Sequence, residues 1–212
     1  MKNKIENMNN KKNILKLLSN KKNIILEIGS GSKKIYNNSI SIDIIDSENV
    51  DIVGDIHDVI KLFESNSIDK IYSSHCFEHI KNLEKLFIEI TRVLKINGEL
   101  ELIIPHFSNP FYYSDPTHVN FFGLYTFSYY FHDNYLKRKV PAYKDKLPLE
   151  ISNINLIFRS FRPRYVTHGI KKIFQFVFNL SVFSKELYEE NFTNLISCYE
   201  IQIKLKKINE KK

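Results

Sequence analysis

Short apolar runs separated by polar turns dominate the first half of the chain. The runs are residues 24–28, 40–44, 50–54, 67–75 and 99–104. Near-continuous apolar runs of this length are typical of buried parallel strands. Between the last two runs, apolar residues recur at spacings of three and four, which predicts an amphipathic helix. Its apolar face comprises Leu83, Leu86, Phe87, Ile90, Val93 and Leu94, and we expect Asn97 and Gly98 to end it.

The second half adds two predicted strands. Residues 151–158 form one, and residues 197–207 alternate apolar and polar side chains, as a strand with one wet face does. We place the last strand antiparallel at the sheet edge. The prediction is one α/β domain (residues 1–212): a doubly wound, Rossmann-like sheet of seven mostly parallel strands with helices on both faces. A leading helix with Ile14, Leu15, Leu17 and Leu18 is expected to pack on the sheet.

A glycine pair follows the first strand. Gly29 and Gly31 allow a sharp turn and a close approach of the backbone to a ligand. Asp43 stands near the end of the second strand, where an acid in a doubly wound sheet hydrogen-bonds a ribose hydroxyl. Ligands of such sheets bind beyond the carboxyl ends of the strands. The predicted rim of the binding site comprises Gly29, Asp43, Asp55, Ser74 and Pro105.

The loop fits S-adenosylmethionine better than a nicotinamide dinucleotide. A dinucleotide fold needs a third glycine that opens a helix under the pyrophosphate, and Lys34 stands at that position. Glu27 precedes the glycines, where its carboxylate would attract an ammonium group and repel a pyrophosphate. A nicotinamide-dependent oxidoreductase is therefore the disfavoured enzyme class.

Six segments occur in a fixed order between about residues 24 and 105. They are Leu26-Glu27-Ile28-Gly29-Ser30-Gly31, then Asp43, Gly54-Asp55-Ile56-His57, residues 63–69, residues 73–80 and residues 89–98. In this order they resemble the class I S-adenosylmethionine-dependent methyltransferases of the methyltransferase type 11 kind. The chain departs from that family in a shorter first crossover and in Ile96-Asn97, where the family has Pro-Gly.

The resemblance implies S-adenosylmethionine as cofactor. It implies that Asp55 faces the adenine amine and that Ile56 covers the ring, although Asp55 is also placed to cap the following helix. The predicted cofactor-binding residues are Glu27, Gly29, Ser30, Gly31, Asp43, Ile44, Asp55, Ile56, Ser74 and His75.

Residues 106–150 form a predicted insertion after the fifth strand, in which aromatic residues alternate with His, Asp and Ser. The resemblance implies that this segment builds the acceptor pocket; a lid whose aromatic residues cover the sheet edge is the alternative. A hydroxyl acceptor needs a base within hydrogen-bond reach. The catalytic candidates are His106, Asp115 and His118, with Asp115 orienting His118. Residues 115–118 also resemble methyltransferases of bacterial surface-polysaccharide clusters, which implies a small acceptor linked to a sugar or nucleotide.

His75, Cys76, Glu78 and His79 are a cluster of potential metal ligands. Two histidines four residues apart bind zinc when they share a helix face and a third ligand lies elsewhere. Here the segment spans a strand end and a helix start, so the rings of His75 and His79 need not share a face. The family resemblance accounts for the cluster without a metal, and we predict none.

Composition and charge restrict the partners without selecting one. The 212 residues, 43% hydrophobic and 26% charged, suit one globular domain. A net charge of +7 is compatible with nucleic acid, but the lysines are scattered, so nucleic acid is disfavoured. Cys76 and Cys198 lie far apart without metal-type spacing, and the start of the chain lacks the pattern of a secretory signal. Both features favour the cytoplasm.

Residues 170–183 are densely apolar, flanked by lysines and too short to span a bilayer. They are interpreted, in order of preference, as a core helix, a dimer face or a membrane-surface helix. The predicted function is methyl transfer to oxygen or nitrogen of a small acceptor. An RNA methyltransferase, or a scaffold that docks a partner through residues 170–183, are the alternatives.

Overall fold

A computed structural model of the protein describes residues 9–10 and 23–209. Its strands are β1 (Asn9–Asn10), β2 (Ile25–Ile28), β3 (Ile40–Asp43), β4 (Ile52–Val53), β5 (Ile68–Ser74), β6 (Leu94–Pro105), β7 (Phe131–His132), β8 (Leu147–Ile157) and β9 (Glu200–Lys207). Its α-helices are α1 (Ile56–Val59), α2 (Leu83–Val93), α3 (Tyr165–Asn179) and α4 (Val182–Asn191). In this part of the chain no helix is long and apolar enough to cross a membrane.

The described strands form one sheet in the order β1–β4–β3–β2–β5–β6–β9–β8–β7. Strands β4, β3, β2, β5 and β6 are parallel to their neighbours in this series, which confirms the α/β class with a mostly parallel sheet. The described sheet has nine strands rather than the predicted seven, because the two-residue strands β1 and β7 extend its two edges.

The position of β9 differs from the prediction. It lies between β6 and β8, antiparallel to both, and is not an edge strand. The alternation of apolar and polar residues shows which face of a strand is wet. It does not show whether one or both backbone edges are paired, so the sequence pattern could not place β9 inside the sheet.

Side chains in register across the sheet differ in polarity between its two faces. One row, followed from β3 to β8, is apolar and buried throughout: Ile40, Leu26, Ile71, Leu100, Leu205 and Ile151. The next row points to the opposite face and is polar: Ser41, Glu27, Tyr72, Glu101 and Lys204. The apolar row belongs to the core that also contains the buried side chains of α2.

The segment after β5 starts and ends differently from the prediction. A 3-10 helix, Phe77–His79, precedes α2, and α2 ends at Val93 rather than at Asn97. Leu94 is buried and pairs with Ile68, so burial and strand pairing favour an extended backbone directly after the helix. Asn97 does have a positive φ of 66°, but within the β6 stretch instead of at a helix end.

Helix α3 contains most of the apolar segment at 170–183, and the preferred interpretation as a core helix is wrong. Its exposed apolar side chains are Val166, Ile170, Ile173, Phe176 and Val177, followed by Leu180. The helix is attached to the sheet by two polar side chains: Asn179 bonds both backbone groups of Leu156, and Gln175 accepts from the Phe158 N–H. These bonds pair backbone groups at the edge of β8.

Two further predictions concern the start of the chain and the insertion at residues 106–150. The leading helix predicted around residues 14–18 lies outside the described residues. The predicted insertion at 106–150 contains 3-10 helices at Tyr112–Ser114 and Thr126–Tyr129 and the short strand β7, while its last residues, from Leu147, already belong to β8.

Candidate active site

A cavity of ≈ 320 Å³ lies at the carboxyl ends of β2 to β5. It is lined by Ile28, Gly29, Ile42, Asp43, Ile44, Gly54, Asp55, Ile56, His57, Cys76, His79, Ile80 and Lys81. Five of the ten predicted cofactor residues are among them: Gly29, Asp43, Ile44, Asp55 and Ile56. The structure therefore brings these five together around one space of ligand-binding size.

The turn after β2 requires its glycines for different reasons. Gly29 has a φ of 68°, and a Cβ placed on it would lie 2.5 Å from both Cβ and Sγ of Cys76. Gly31 has a φ of 57°, yet a Cβ placed there would meet no described atom within 4 Å. Between them, the hydroxyl oxygen of Ser30 is buried and has no hydrogen-bond partner among the described residues. The hydroxyl group of Ser30 is therefore available to bond a ligand at this closely packed turn.

Asp43 connects the ends of β2 and β3. Its Oδ2 accepts a hydrogen bond from the Gly31 N–H at 2.8 Å, and its Oδ1 accepts one from the Ile45 N–H at 2.9 Å. Each carboxylate oxygen can accept a second hydrogen bond. The side chain is thus held in place at the cavity and still able to accept from a ligand hydroxyl.

Asp55 has the capping role that the sequence indicated. Its Oδ1 accepts a hydrogen bond from the His57 N–H at 2.8 Å, which caps the N-terminus of α1. The residue also lines the cavity, so capping fixes the carboxylate at the place where the resemblance expects it. Ile56 follows it and lines the same wall.

The other predicted cofactor residues, Glu27, Ser30, Gly31, Ser74 and His75, do not line this cavity. Glu27 is a correction to the prediction: its carboxylate accepts hydrogen bonds from the Ile35 and Tyr36 N–H groups and from the Ser39 hydroxyl. Because the loop returning from β2 to β3 uses the carboxylate in this way, Glu27 supports the loop instead of facing an ammonium group. Ser74 ends β5, where it pairs with Ile103 of β6.

His75 belongs to a charged network at the end of β5. Its Nε2 lies 3.0 Å from Oε2 of Glu200, and its Nδ1 lies 3.5 Å from Oε1 of Glu78. Burial alone would lower the pKa of His75, but the hydrogen bonds to Glu200 and Glu78 outweigh burial and raise it to about 9. Arg159 also contacts Glu200 at 3.4 Å. His75 is therefore a cation at neutral pH, paired with two carboxylates.

His106 occupies a different environment from the other two catalytic candidates. It is 0% exposed, its Nε2 lies 2.9 Å from Oε2 of Glu189, and its Nδ1 lies 2.8 Å from the Ser108 hydroxyl. Both ring nitrogens are therefore engaged inside the protein. The prediction that His106 acts as a base needs correction, because neither nitrogen is available to an acceptor.

Asp115 and His118 lie together. Oδ2 of Asp115 is 3.7 Å from Nε2 of His118, and the His118 Nδ1 is 2.8 Å from the backbone oxygen of Tyr112. A carbonyl only accepts, so Nδ1 carries the hydrogen and the neutral ring keeps its lone pair on Nε2. The Thr117 hydroxyl and N–H both bond Asp115 and lower the pKa of its carboxyl group.

His79 joins this pair to the cavity. Its ring centroid lies 4.7 Å from that of His118, and its Nδ1 lies 2.8 Å from Oγ1 of Thr117. The Thr117 hydroxyl is 2.6 Å from Oδ1 of Asp115 and donates its one hydrogen there, so it accepts from His79 Nδ1. His79 also lines the cavity, which places the polar cluster directly beside it.

Backbone bonds hold the 115–120 loop against the turn after β5. The Glu78 carbonyl accepts from the Val119 and Asn120 N–H groups, at 2.8 and 3.2 Å. The Asn120 side-chain amide donates to the carbonyls of Phe77 and Ile80. The Asp-Pro-Thr-His stretch is thereby fixed over Phe77–His79 although the two segments lie about 40 residues apart.

Three site residues were missed as functional in the sequence: Cys76, His79 and Thr117. Cys76 packs under Gly29, and burial followed by the charge of Glu78 raises the pKa of its thiol to about 12. It is therefore a neutral packing group rather than a nucleophile. His79 stood within the family-like segments, which was an available indication. Thr117 acts only through the loop contact, which no local pattern shows.

Comparison with known proteins agrees with this geometry. A family model described as a methyltransferase domain matches residues 26–102, which contain the glycine turn, Asp43, Asp55 and His79. Residues 26–102, about a third of the chain, are therefore similar to a methyltransferase domain. No curated protein matches the chain.

Several solved structures resemble most of the chain in fold. One is a SAM-dependent methyltransferase from Archaeoglobus fulgidus: 15% identity, 87% of this chain and 86% of that chain covered, TM-score 0.50. Another is the YcgJ protein of Bacillus subtilis: 18% identity, 92% and 97% covered, TM-score 0.50. A third is a candidate methyltransferase from Bacillus halodurans: 15% identity, 93% and 98% covered, TM-score 0.51. At these identities the likeness concerns the fold.

Proposed function

We propose that this methyltransferase domain transfers a methyl group from S-adenosylmethionine to an oxygen or nitrogen of a small acceptor linked to a sugar or nucleotide. The observation that carries the proposal is the position of His79, which lines the ≈ 320 Å³ cavity and contacts the Asp115–His118 cluster through Thr117. The cavity and the cluster adjoin, as the sites of a methyl donor and its acceptor must.

The cavity offers partners for each part of the cofactor. Asp43 is free to accept from ribose hydroxyls, and Asp55 stands beside an apolar wall that includes Ile44 and Ile56, which suits an adenine ring. The turn at Gly29–Gly31 suits the amino-acid end, because the Ser30 hydroxyl there has no hydrogen-bond partner in the described part of the chain. Ser30 and Gly31 therefore remain in the proposed binding set although they do not line the cavity, whereas Glu27 does not.

On the acceptor side, the chain has to align the acceptor and receive its proton. S-adenosylmethionine supplies a methyl group already activated by a positively charged sulfur. Nε2 of His118 carries a lone pair and is the proposed general base, while the Tyr112 carbonyl fixes the ring through Nδ1. The carboxylate of Asp115, 3.7 Å from Nε2, would stabilise the imidazolium that forms.

With a sugar-linked acceptor, the proposed role of the protein is in polysaccharide biosynthesis. What supports this role is the Asp115–His118 stretch, which contacts the cavity-lining His79 through Thr117. RNA is the competing acceptor because of the net charge of +7. Both cysteines of the chain are free thiols, which supports a reducing compartment, and we propose the cytoplasm.

To test this function, the purified protein is incubated with isotope-labelled S-adenosylmethionine and a panel of sugar nucleotides, phospho-sugars and RNA. We expect S-adenosylhomocysteine release with a member of the first two groups. His118→Ala should then lower kcat by about 10²- to 10⁴-fold while the affinity for S-adenosylhomocysteine is unchanged. His132→Ala, which alters an exposed histidine of β7, is the matched control and should behave as wild type.

Two results would contradict the proposal. If calorimetry detects no binding of S-adenosylmethionine or S-adenosylhomocysteine, the proposal that the protein is a methyltransferase is wrong. Turnover confined to RNA, with binding that falls steeply as salt rises, would replace the small acceptor by RNA.

A further inference from the structure

Three electron-pair donors converge beside the cofactor cavity. Glu78, His79 and His118 each offer one ligand atom, and these atoms all lie within 4.8 Å of one another. Glu78 and His79 come from the 3-10 helix after β5, and His118 comes from the loop that is fixed to it. The sequence pairing considered for a metal, His75 with His79, is not the one that the structure assembles, because His75 faces Glu200 instead.

The Nδ1 hydrogens of both imidazoles are donated to acceptors outside this group of three residues. His118 Nδ1 donates to the Tyr112 carbonyl, and His79 Nδ1 donates to the Thr117 hydroxyl. In their neutral forms both rings therefore carry the lone pair on Nε2. Histidines that bind metals are commonly oriented in this way, by a hydrogen bond from the other ring nitrogen to a carbonyl or another acceptor.

Glu78 supplies the independent observation that points to a ligand. The residue is 1% exposed, and its Oε1 faces His75 at 3.5 Å. Its Oε2 is buried and, within residues 9–10 and 23–209, has no hydrogen-bond partner. A buried carboxylate oxygen without a partner is energetically costly, and a bound cation would offset that cost.

We propose that Glu78, His79 and His118 bind a divalent transition-metal ion, with Zn²⁺ as the preferred ion. Two imidazoles and one carboxylate suit zinc and its neighbours, whereas Mg²⁺ and Ca²⁺ prefer oxygen ligands alone. Tetrahedral coordination with bonds of about 2.1 Å places ligand atoms about 3.4 Å apart. The side chains would therefore close by up to about 1.4 Å from their present separation of at most 4.8 Å.

Three protein ligands leave one coordination position open, which is typical of catalytic zinc sites. We propose that an oxygen of the methyl acceptor occupies this position, and this part of the inference rests on the proposed function. A bound cation would lower the proton affinity of an acceptor hydroxyl, and the released proton would pass to solvent or to the carboxylate of Asp115, which lies 3.7 Å from Nε2 of His118. Without the metal, His118 keeps its role as base.

The test measures metal binding without cofactor or acceptor. The protein is treated with a chelator, desalted and titrated calorimetrically with Zn²⁺, Mn²⁺ and Mg²⁺. We expect one Zn²⁺ per chain, bound more tightly than Mn²⁺, and no saturable binding of Mg²⁺. His79→Gln and His118→Gln should each weaken Zn²⁺ binding by roughly 100-fold or more. His132→Ala, the exposed control, should leave it unchanged.

Absence of stoichiometric Zn²⁺ binding, or equal affinity in wild type and both histidine variants, would overturn the inference. Circular-dichroism spectra and urea denaturation serve as the test of folding for each variant, because His79 itself lines the cofactor cavity. Glu78→Gln is the third ligand variant, and if it fails to fold, the two histidine variants decide the outcome alone. Methyl transfer by a protein that binds no Zn²⁺ would exclude the metal site and leave the proposed function intact. Binding of Zn²⁺ by a protein that does not bind the cofactor would support the metal site and contradict the proposed function.

Discussion

At the scale of single residues, the cavity depends on the close approach of Gly29 to Cys76. A Cβ on Gly29 would lie 2.5 Å from the Cβ of Cys76, and a positive φ adds strain for any L side chain. We predict that Gly29→Ala lowers the free energy of unfolding by about 2–5 kcal/mol, the sum of overpacking and backbone strain. Urea denaturation measures this loss, and S-adenosylhomocysteine affinity should fall with it.

Gly31→Ala is the matched control for this prediction. It imposes a similar positive φ but places its Cβ where no described atom lies within 4 Å. Only the strain remains, about 1–2 kcal/mol. The double variant Gly29→Ala with Cys76→Gly should recover the overpacking part. Equal losses in the two alanine variants would show that contact with Cys76 is unimportant.

The residues of the site were predictable to the extent that their roles are local. Gly29 and Asp43 follow directly from a strand that ends in a turn and from an acid at the next strand end. Glu27 was assigned wrongly because its carboxylate bonds a loop eight to twelve residues later, a contact that no spacing reveals. Glu78, His79 and His118 come together only through the backbone bonds of the 115–120 loop, so their proximity lies beyond sequence patterns.

At the scale of elements, α3 has a buried face and an exposed face, and we expect their side chains to contribute differently to the stability of the protein. Phe178 is 4% exposed and packs against the rings of Phe158 and Tyr188, whereas Phe176 is 69% exposed on the same helix. We predict that Phe178→Ala destabilises the protein by about 3–5 kcal/mol because it leaves a cavity. Phe176→Ala should change stability by no more than about 0.5 kcal/mol. Thermal and urea denaturation of the two variants provide the measurement.

The comparison uses one helix and one substitution type, so helix propensity cancels between the two variants. A large loss for Phe176→Ala would mean that the exposed face is covered in solution. A small loss for Phe178→Ala would contradict its packing against Tyr188 of α4 and against Phe158, which follows β8. Either result would appear as a shift of the denaturation midpoint.

The elements themselves were more predictable than their ends and their places in the sheet. The apolar runs located β2, β3 and β5, because buried parallel strands need continuous apolar sequence. The same reasoning located α3 but not its exposed face, because an apolar composition does not show that Asn179 and Gln175 attach the helix to the edge of β8.

At the scale of the whole molecule, the site consists of loops that follow successive strands of one sheet. The turn after β2, Asp43 at the end of β3, Asp55 after β4 and His79 after β5 all meet at the cavity. A ligand that bridges these loops binds the folded chain and not the unfolded one. Its binding free energy therefore adds to the stability of the entire domain.

We predict that S-adenosylhomocysteine at 100 times its Kd stabilises the protein by about 2.7 kcal/mol, which raises Tm by about 5–11 °C for a chain of this length. Asp43→Ala should halve this shift or reduce it further at the same ligand concentration. The reason is that a hydrogen bond to a charged group contributes about 1.5–3 kcal/mol to binding. Asp145→Ala removes an exposed acid that does not line the cavity and is the matched control.

Differential scanning fluorimetry at several ligand concentrations separates the two effects of Asp43→Ala. The variant also loses the hydrogen bonds to Gly31 and Ile45, so its Tm without ligand will fall. The prediction concerns the ligand-induced increment, which depends on Kd alone once each protein is compared with its own ligand-free form. An increment in Asp43→Ala equal to that of wild type would exclude Asp43 from the cofactor site. If Asp145→Ala reduces the ligand-induced rise in Tm as much as Asp43→Ala does, overall charge governs binding and not the carboxylate at the end of β3.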